Sequence, residues 1–198
     1  MSMTTSRLYL ASGSPRRREI LAGLGLNLER IHADIDESVL PGEAAVAYTE
    51  RLAREKAAAG WQVVSSCGLP LHPLLAADTT VVLDGEIYGK PADADDARRM
   101  LQAFSGRSHL VVTSVAVQLG DELQLATSIT EVTFKPLSAD EIQRYIDSHE
   151  PFDKAGAYGI QGKAAVFVAR IEGSYTGVVG LPVYETAQLL GKFGYQLP

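Results

Sequence analysis

One cysteine in 198 residues excludes an intrachain disulfide framework and a cysteine-based metal cluster, because Cys67 stands alone. No run of roughly 18 apolar residues occurs, and the opening "MSMTTSR" lacks the apolar centre of a secretory signal. The expectation is a soluble, cytoplasmic protein with no membrane association, in which a lone thiol stays reduced. Positive charge is in deficit: 18 Lys and Arg stand against 24 Asp and Glu, a formal charge of -6. Together with a single Trp, this argues against nucleic acid as a partner and against anionic membrane surfaces. Any anion the protein handles must meet a local basic pocket, not a basic face.

What is present is ordinary globular material, 46% hydrophobic and 21% charged, in a chain long enough for one sizeable core or two small lobes. No internal repeat or low-complexity linker divides residues 1–198, so a single domain is expected. "RLYLAS" reads as a short buried strand and Pro15 to about Leu24 as a helix stopped by Gly25. "LERIHADI" reads as a second strand, followed by the loop "ESVLPGE". Glu43 to Ala59 reads as a helix ended by Gly60, with "WQVVSSCGLPLHP" an irregular connector. "LLAADTTVVL" is a strand feeding a hairpin at Asp84-Gly85. "DADDARRMLQAF" is an acid-started helix, and "HLVVTSVAVQL" and "LQLATSITEVTF" form a second hairpin. Ser138 and Glu141 match a capping box for the next helix. A glycine-rich loop, the strand "AAVFVARI", another loop and a helix after Pro182 close the chain. Two hairpins exclude a purely parallel sheet, so the expected class is α/β with a mixed twisted sheet and flanking helices.

The charge pattern contains one anomaly. In "LYLASGSPRRREIL", Ser14 is a good N-cap and Pro15 a good first helical residue, which puts Arg16, Arg17 and Arg18 in the first turn. Positive charge there opposes the helix dipole by about 0.3–1 kcal/mol per exposed residue. Either the arginines splay into solvent, or an anion sits where backbone N–H groups, dipole and guanidinium forks converge. The spacing is not that of a P-loop. A phosphate site is favoured.

Asp78 interrupts the apolar run "LLAADTTVVL". It is either a surface acid where the strand frays, or a buried carboxylate that needs a lysine, a metal ion or a substrate beside it. Asp34, Asp36 and Glu37 follow another strand, and two carboxylates at strand ends suit Mg²⁺ beside substrate phosphates. Lys56 falls on the apolar stripe of its helix, so it snorkels to solvent or reaches a cleft. Lys90 sits in a rigid position before Pro91. "DKAGAYGIQG" combines close-approach glycines with the amide Gln161, whose donor and acceptor suit a base edge; a plain flexible loop has the same composition.

With these residues assembled, the sequence resembles the Maf family of nucleoside-triphosphate pyrophosphatases, in its dTTP/UTP branch. The resemblance is carried by "LASGSPRRREIL", "RLAREKA", "AADTTVVLDGEIYGKP", "DKAGAYGIQG" and "GSYTGVVGLP", from about Leu8 to Leu190. It implies two lobes around a central cleft, as in the inosine-triphosphatase-like fold, a divalent cation such as Mg²⁺ or Mn²⁺, and a homodimer. It implies hydrolysis between the α- and β-phosphates, with Asp78 as proton acceptor. Arg17, Thr79 and Gln161 fall on positions linked to base preference. Ser12, Arg16, Lys56 and Lys90 fall on the triphosphate positions, and Glu37 with Asp78 on the metal. "SPRRR" and "ADT" differ from the "SPWRR" and "SDQ" of the branch that prefers 7-methyl-GTP. Ala76 stands where relatives often carry Gly. Two rival readings are a pyrophosphatase for non-standard purine nucleotides and a nucleotide-sensing regulator of cell division.

Overall fold

The computed structural model describes residues 7–197, so the reading of Met1–Ser6 as free of a targeting signal lies outside the described residues. Strand β1 (Arg7–Leu10) leads through helix α1 (Pro15–Gly23) to the parallel strand β2 (Asn27–Arg30). Helix α2 (Ala45–Ser66) then returns the chain to β3 (Leu74–Leu83), parallel to β1 on its other side. From there the sheet is antiparallel. β3 turns into β4 (Glu86–Tyr88), and after α3 (Ala94–Phe104) come the long hairpin strands β5 (Ser108–Leu119) and β6 (Glu122–Phe134). Helix α4 (Ala139–Asp147), three short 3-10 turns, β7 (Val168–Glu172), α5 (Tyr175–Val179) and α6 (Val183–Lys192) complete the chain. The sheet order is β2-β1-β3-β5-β6-β7, with β4 on β3, which is the mixed α/β class expected.

Strand β3 organises the interior. Its first half alternates with the pleat: Leu75 and Ala77 pack with Leu8, Leu10 and Leu21 under α1 and α6, while Leu74 and Ala76 pack with Ala53, Ala57 and Val64 of α2. Its far end, Val81 and Leu83, enters a separate core with Phe104, Phe134, Tyr145 and Tyr158. Between these cores lies Asp78-Thr79-Thr80. The same period-2 alternation turns Asp78 toward α2 and Thr79 toward α1.

Three sequence readings need correction. Gly60 does not end α2, which runs on to Ser66 and takes in the start of the supposed connector. Gly60 is there for close approach: a Cβ on it would lie 2.8 Å from Leu74 Cδ1 and 3.0 Å from Ala11 Cβ. Burial of the stripe Leu52, Ala53, Ala57 and Val64 outweighs the roughly 1 kcal/mol helix penalty of glycine. β2 stops at Arg30, short of the expected Ile35, because its partner β1 ends at Leu10 and turns away into α1. The reading of "AAVFVARI" as all strand fails at its start. Lys163–Phe167 is a 3-10 turn that buries Ala164 and Phe167, three apart and therefore on one side, and β7 begins only where β6 offers a partner.

Candidate active site

A cavity of about 890 Å³ opens where the polar centre of β3 meets the start of α1, the middle of α2, the segment after β4 and the 3-10 turns around residues 150–162. Its lining includes Ser12, Arg16, Arg17, Glu37, Lys56, Asp78, Thr79, Lys90 and Gln161, so the structure brings every residue expected to act in the site to one place, while Asp36 is not among the lining residues. Arg18, exposed on α1, is not among the lining residues. The volume lies within the usual range for small-molecule sites, about 300–1,000 Å³.

On the cavity floor, Asp78 is 7% exposed, which disposes of the frayed-surface alternative. Its partner is Lys56, whose Nζ donates to Asp78 Oδ1 at 2.8 Å and lies 2.8 Å from Glu37 Oε1. One ammonium thus spans two carboxylates, using one oxygen of each. Lys56 does not snorkel. Removing one member of so buried a pair typically costs about 3–5 kcal/mol, since a charge is left without its counter-ion. Negative potential at this point is also felt by Tyr48, which lines the cavity two turns before Lys56 on α2. Desolvation, then the charges of Asp78 and Glu37, push the Tyr48 phenol up to about 12. Its hydroxyl donates to the Glu37 carbonyl at 2.9 Å.

The start of α1 is built as the sequence implies. Ser14 caps it by accepting from the Arg17 N–H, and Pro15 opens the first turn. Arg17 then folds back into the protein. Its Nε donates to the Gly180 carbonyl at 2.7 Å, Nη1 to Ser12 Oγ at 3.1 Å and Nη2 to Thr79 Oγ1 at 3.0 Å. Desolvation lowers its pKa from the ordinary value, and the charge of Asp78 opposes that shift. Arg16 instead pairs with Asp153 at 3.1 Å.

The opposite wall is made of loops. Lys90 and Gln161 are exposed on the cavity rim. Behind Gln161, Glu150 takes hydrogen bonds from Tyr145 Oη at 3.0 Å and the Lys163 N–H at 3.0 Å. Gly162 packs so tightly there that a Cβ would stand 2.1 Å from Glu150 Oε1. Lys154 donates to the Glu150 carbonyl at 2.7 Å and to Asp153. Burial would raise the Asp153 carboxyl, but hydrogen bonds from Lys154 and Arg16 hold it below its ordinary value. Tyr48, Glu150, Asp153 and Lys154 were not assigned from sequence. Tyr48 could have been found from its spacing to Lys56; the other three depend on contacts between segments with no shared periodicity.

No cluster of three or more His, Cys, Asp or Glu arranged to hold a metal occurs among the described residues. Two carboxylates close enough to share an ammonium do fit a magnesium-type ion, which keeps waters and takes its remaining oxygens from substrate phosphates.

A buried Asp78 tied through Lys56 to the more exposed Glu37, beside a helix start rich in guanidinium groups, defines a cleft protein for polyanionic ligands. The chain belongs to the Maf-like protein family, whose pattern matches residues 7–193. It is 76% identical to the dTTP/UTP pyrophosphatase of Chromobacterium violaceum over the full length of both chains. It is 51% identical to the enzyme of that name from Aromatoleum aromaticum, again over both full chains. With that of Hahella chejuensis it shares 54% identity, covering 96% of this chain and 94% of the relative. Among solved structures, the Ham1 protein of Staphylococcus aureus matches with a TM-score of 0.56 at 13% identity, covering 94% of this chain and 98% of that one, a likeness of fold. Among the described residues no helix is long and apolar enough to cross a membrane.

Proposed function

We propose that this protein hydrolyses dTTP and UTP to the nucleoside monophosphate and pyrophosphate, and so clears these and related modified pyrimidine nucleotides from the pool. The observation that carries this reading is the juxtaposition of Asp78 and Lys56 with Arg16 and Arg17 in one cavity. Support comes also from full-length relatives called dTTP/UTP pyrophosphatase at 76% and 51% identity. Family resemblance extends the proposal to a homodimer working in the cytoplasm.

In this mechanism a water attacks the α-phosphorus, the bond to the bridging oxygen breaks and pyrophosphate leaves. Asp78 takes the attacking water's proton, and Lys56 fixes its placement from one carboxylate oxygen. Arg16, Lys90 and the N–H groups at the start of α1 stabilise charge on the phosphates and the leaving pyrophosphate. Arg16 exchanges Asp153 for phosphate as substrate enters. Lys56 keeps Glu37 and Asp78 together despite their like charge. Mg²⁺ or Mn²⁺, held by Glu37 and Asp78, supplies charge neutralisation on phosphate oxygens when bound. Uracil and thymine present carbonyl, N–H and carbonyl along one edge, which Arg17, Thr79 and Gln161 read. The 5-methyl group needs only space, so dTTP and UTP are used alike.

The test is pyrophosphate release from a panel of dTTP, UTP, CTP, ATP, GTP, ITP and 7-methyl-GTP, with and without Mg²⁺. The expected result is Mg²⁺-dependent release, fastest from dTTP and UTP. Preference for ITP or 7-methyl-GTP would overturn the substrate assignment, and binding without release would make the protein a sensor.

A further inference from the structure

We propose that Thr113, a residue with no access to the cavity, fixes base selectivity by locking the Thr79 hydroxyl as a hydrogen-bond acceptor. The inference rests on the proposed function and deepens it. Thr113 on β5 lies directly across the ladder from Thr79 on β3 and is wholly buried. Its Oγ1 is 2.8 Å from the Gly177 carbonyl of α5 and 2.9 Å from Thr79 Oγ1. A carbonyl only accepts, so the single Thr113 hydroxyl hydrogen belongs to Gly177. Thr79 must therefore be the donor in the contact with Thr113. Its hydrogen is then spent inside the protein, and one lone pair is taken by Arg17 Nη2 at 3.0 Å. Toward the cavity, which Thr79 lines, only a lone pair remains.

Arg17 supplies the complementary half of the pattern. Its five N–H groups give one each to Gly180, Ser12 and Thr79, which leaves one on each terminal nitrogen. A donor therefore sits beside an obligate acceptor. That pair matches a carbonyl next to a ring N–H, the imide edge of uracil and thymine. Cytosine turns a ring-nitrogen lone pair toward Thr79, acceptor against acceptor. Adenine fails in the same way. Guanine carries the same carbonyl and ring N–H, so the relay does not reject it.

The experiment reads binding, independently of turnover, with α,β-imido analogues of UTP and CTP by titration calorimetry. Wild-type protein should prefer the UTP analogue. Thr113→Val and Thr113→Ala both remove the acceptor that holds the Thr79 hydrogen, freeing it to turn toward a ring-nitrogen lone pair. The preference for UTP over CTP should then fall by about ten-fold, the scale of one mispaired hydrogen bond. Thr113→Ser should restore it. A purely structural role for Thr113 would weaken both analogues equally. In wild-type protein, a 3-methyluracil analogue lacking the ring N–H should bind no better than the CTP analogue, a result that needs no variant. An unchanged preference in folded Val and Ala variants, or full binding of the 3-methyl analogue, overturns the relay. If the panel above shows no release from UTP or dTTP while the analogue preference behaves as described, the catalytic reading falls and the relay stands.

Discussion

The floor and the rim of the cavity are built on opposite principles. On the floor, Arg17, Lys56, Asp78 and Thr79 come from strands and helices and Ser12 from the short β1–α1 connection, and each is tied to another protein group. On the rim, Lys90 and Gln161 come from loops and are exposed. Floor groups lose their rotamer freedom when the protein folds, whereas a long rim side chain loses up to about 2 kcal/mol only when ligand binds. Pre-set groups act at full strength on the reacting atoms, and late-ordered groups spend much of their contact energy on being ordered. Deletions of the floor groups at the reacting phosphate, Asp78 and Lys56, should therefore be felt in kcat, and deletions on the rim in KM.

The sharpest way to break this contrast is Asp78→Asn. Asparagine Oδ1 still accepts from Lys56, whose charge keeps Glu37 as a counter-ion, so the fold should persist with a lowered melting temperature, while the proton acceptor is gone. The expected loss in kcat on dTTP is about 10³-fold, within the usual range for a general base. Retention of more than a tenth of wild-type kcat in a folded variant would remove Asp78 from that role.

A smaller effect concerns the support beneath the rim. Tyr158, just before the Gln161 loop, shares a 2.8 Å hydrogen bond with His109 Nε2 among Phe104 and Phe134. Burial pushes the His109 imidazole down from 6.5 to about 4. The unfolded chain then binds a proton between those values that the folded protein does not, so stability is full above about 6.5 and falls as pH drops toward 4. The shift corresponds to at most about 3 kcal/mol. The carboxyls of Glu43, held down by hydrogen bonds from Arg51, and Glu141, held down by Lys135, add acid sensitivity only below about 4.5. Urea midpoints at pH 7.5 and pH 5 should differ in the wild type and converge in His109→Gln. Equal pH dependence in both would assign the loss elsewhere.

Legibility in the sequence followed the same division. The α1 start could be read because Ser14, Pro15 and the arginine run are local signals, and hairpin and capping-box residues are local as well. The strand carrying Asp78 was visible from its apolar run, but not the identity of its partner among a lysine, a metal and a substrate. Lys56 and Asp78 meet only because α2 crosses β3 at Gly60, the glycine that local propensity reads as a stop. The Thr79–Thr113 pairing depends on the register of β3 and β5, and the Glu150 cluster on loop packing. Nothing periodic in the chain encodes either. Family resemblance named residues whose placement the local pattern left open.

The smallest effect expected is at Lys90. It is exposed on the rim, follows β4 and precedes Pro91, which restricts its backbone without restraining the side chain. An ammonium on a mobile stem, partly solvated and screened by salt, contributes about 1 kcal/mol or less to holding a phosphate. Lys90→Ala should thus raise KM for dTTP a few-fold, with kcat within about two-fold of wild type, and the difference should shrink as salt is added. A drop in kcat comparable to that of Asp78→Asn would mean that Lys90 orders before chemistry and belongs functionally to the floor. The rim would then be a closing element rather than a capture surface.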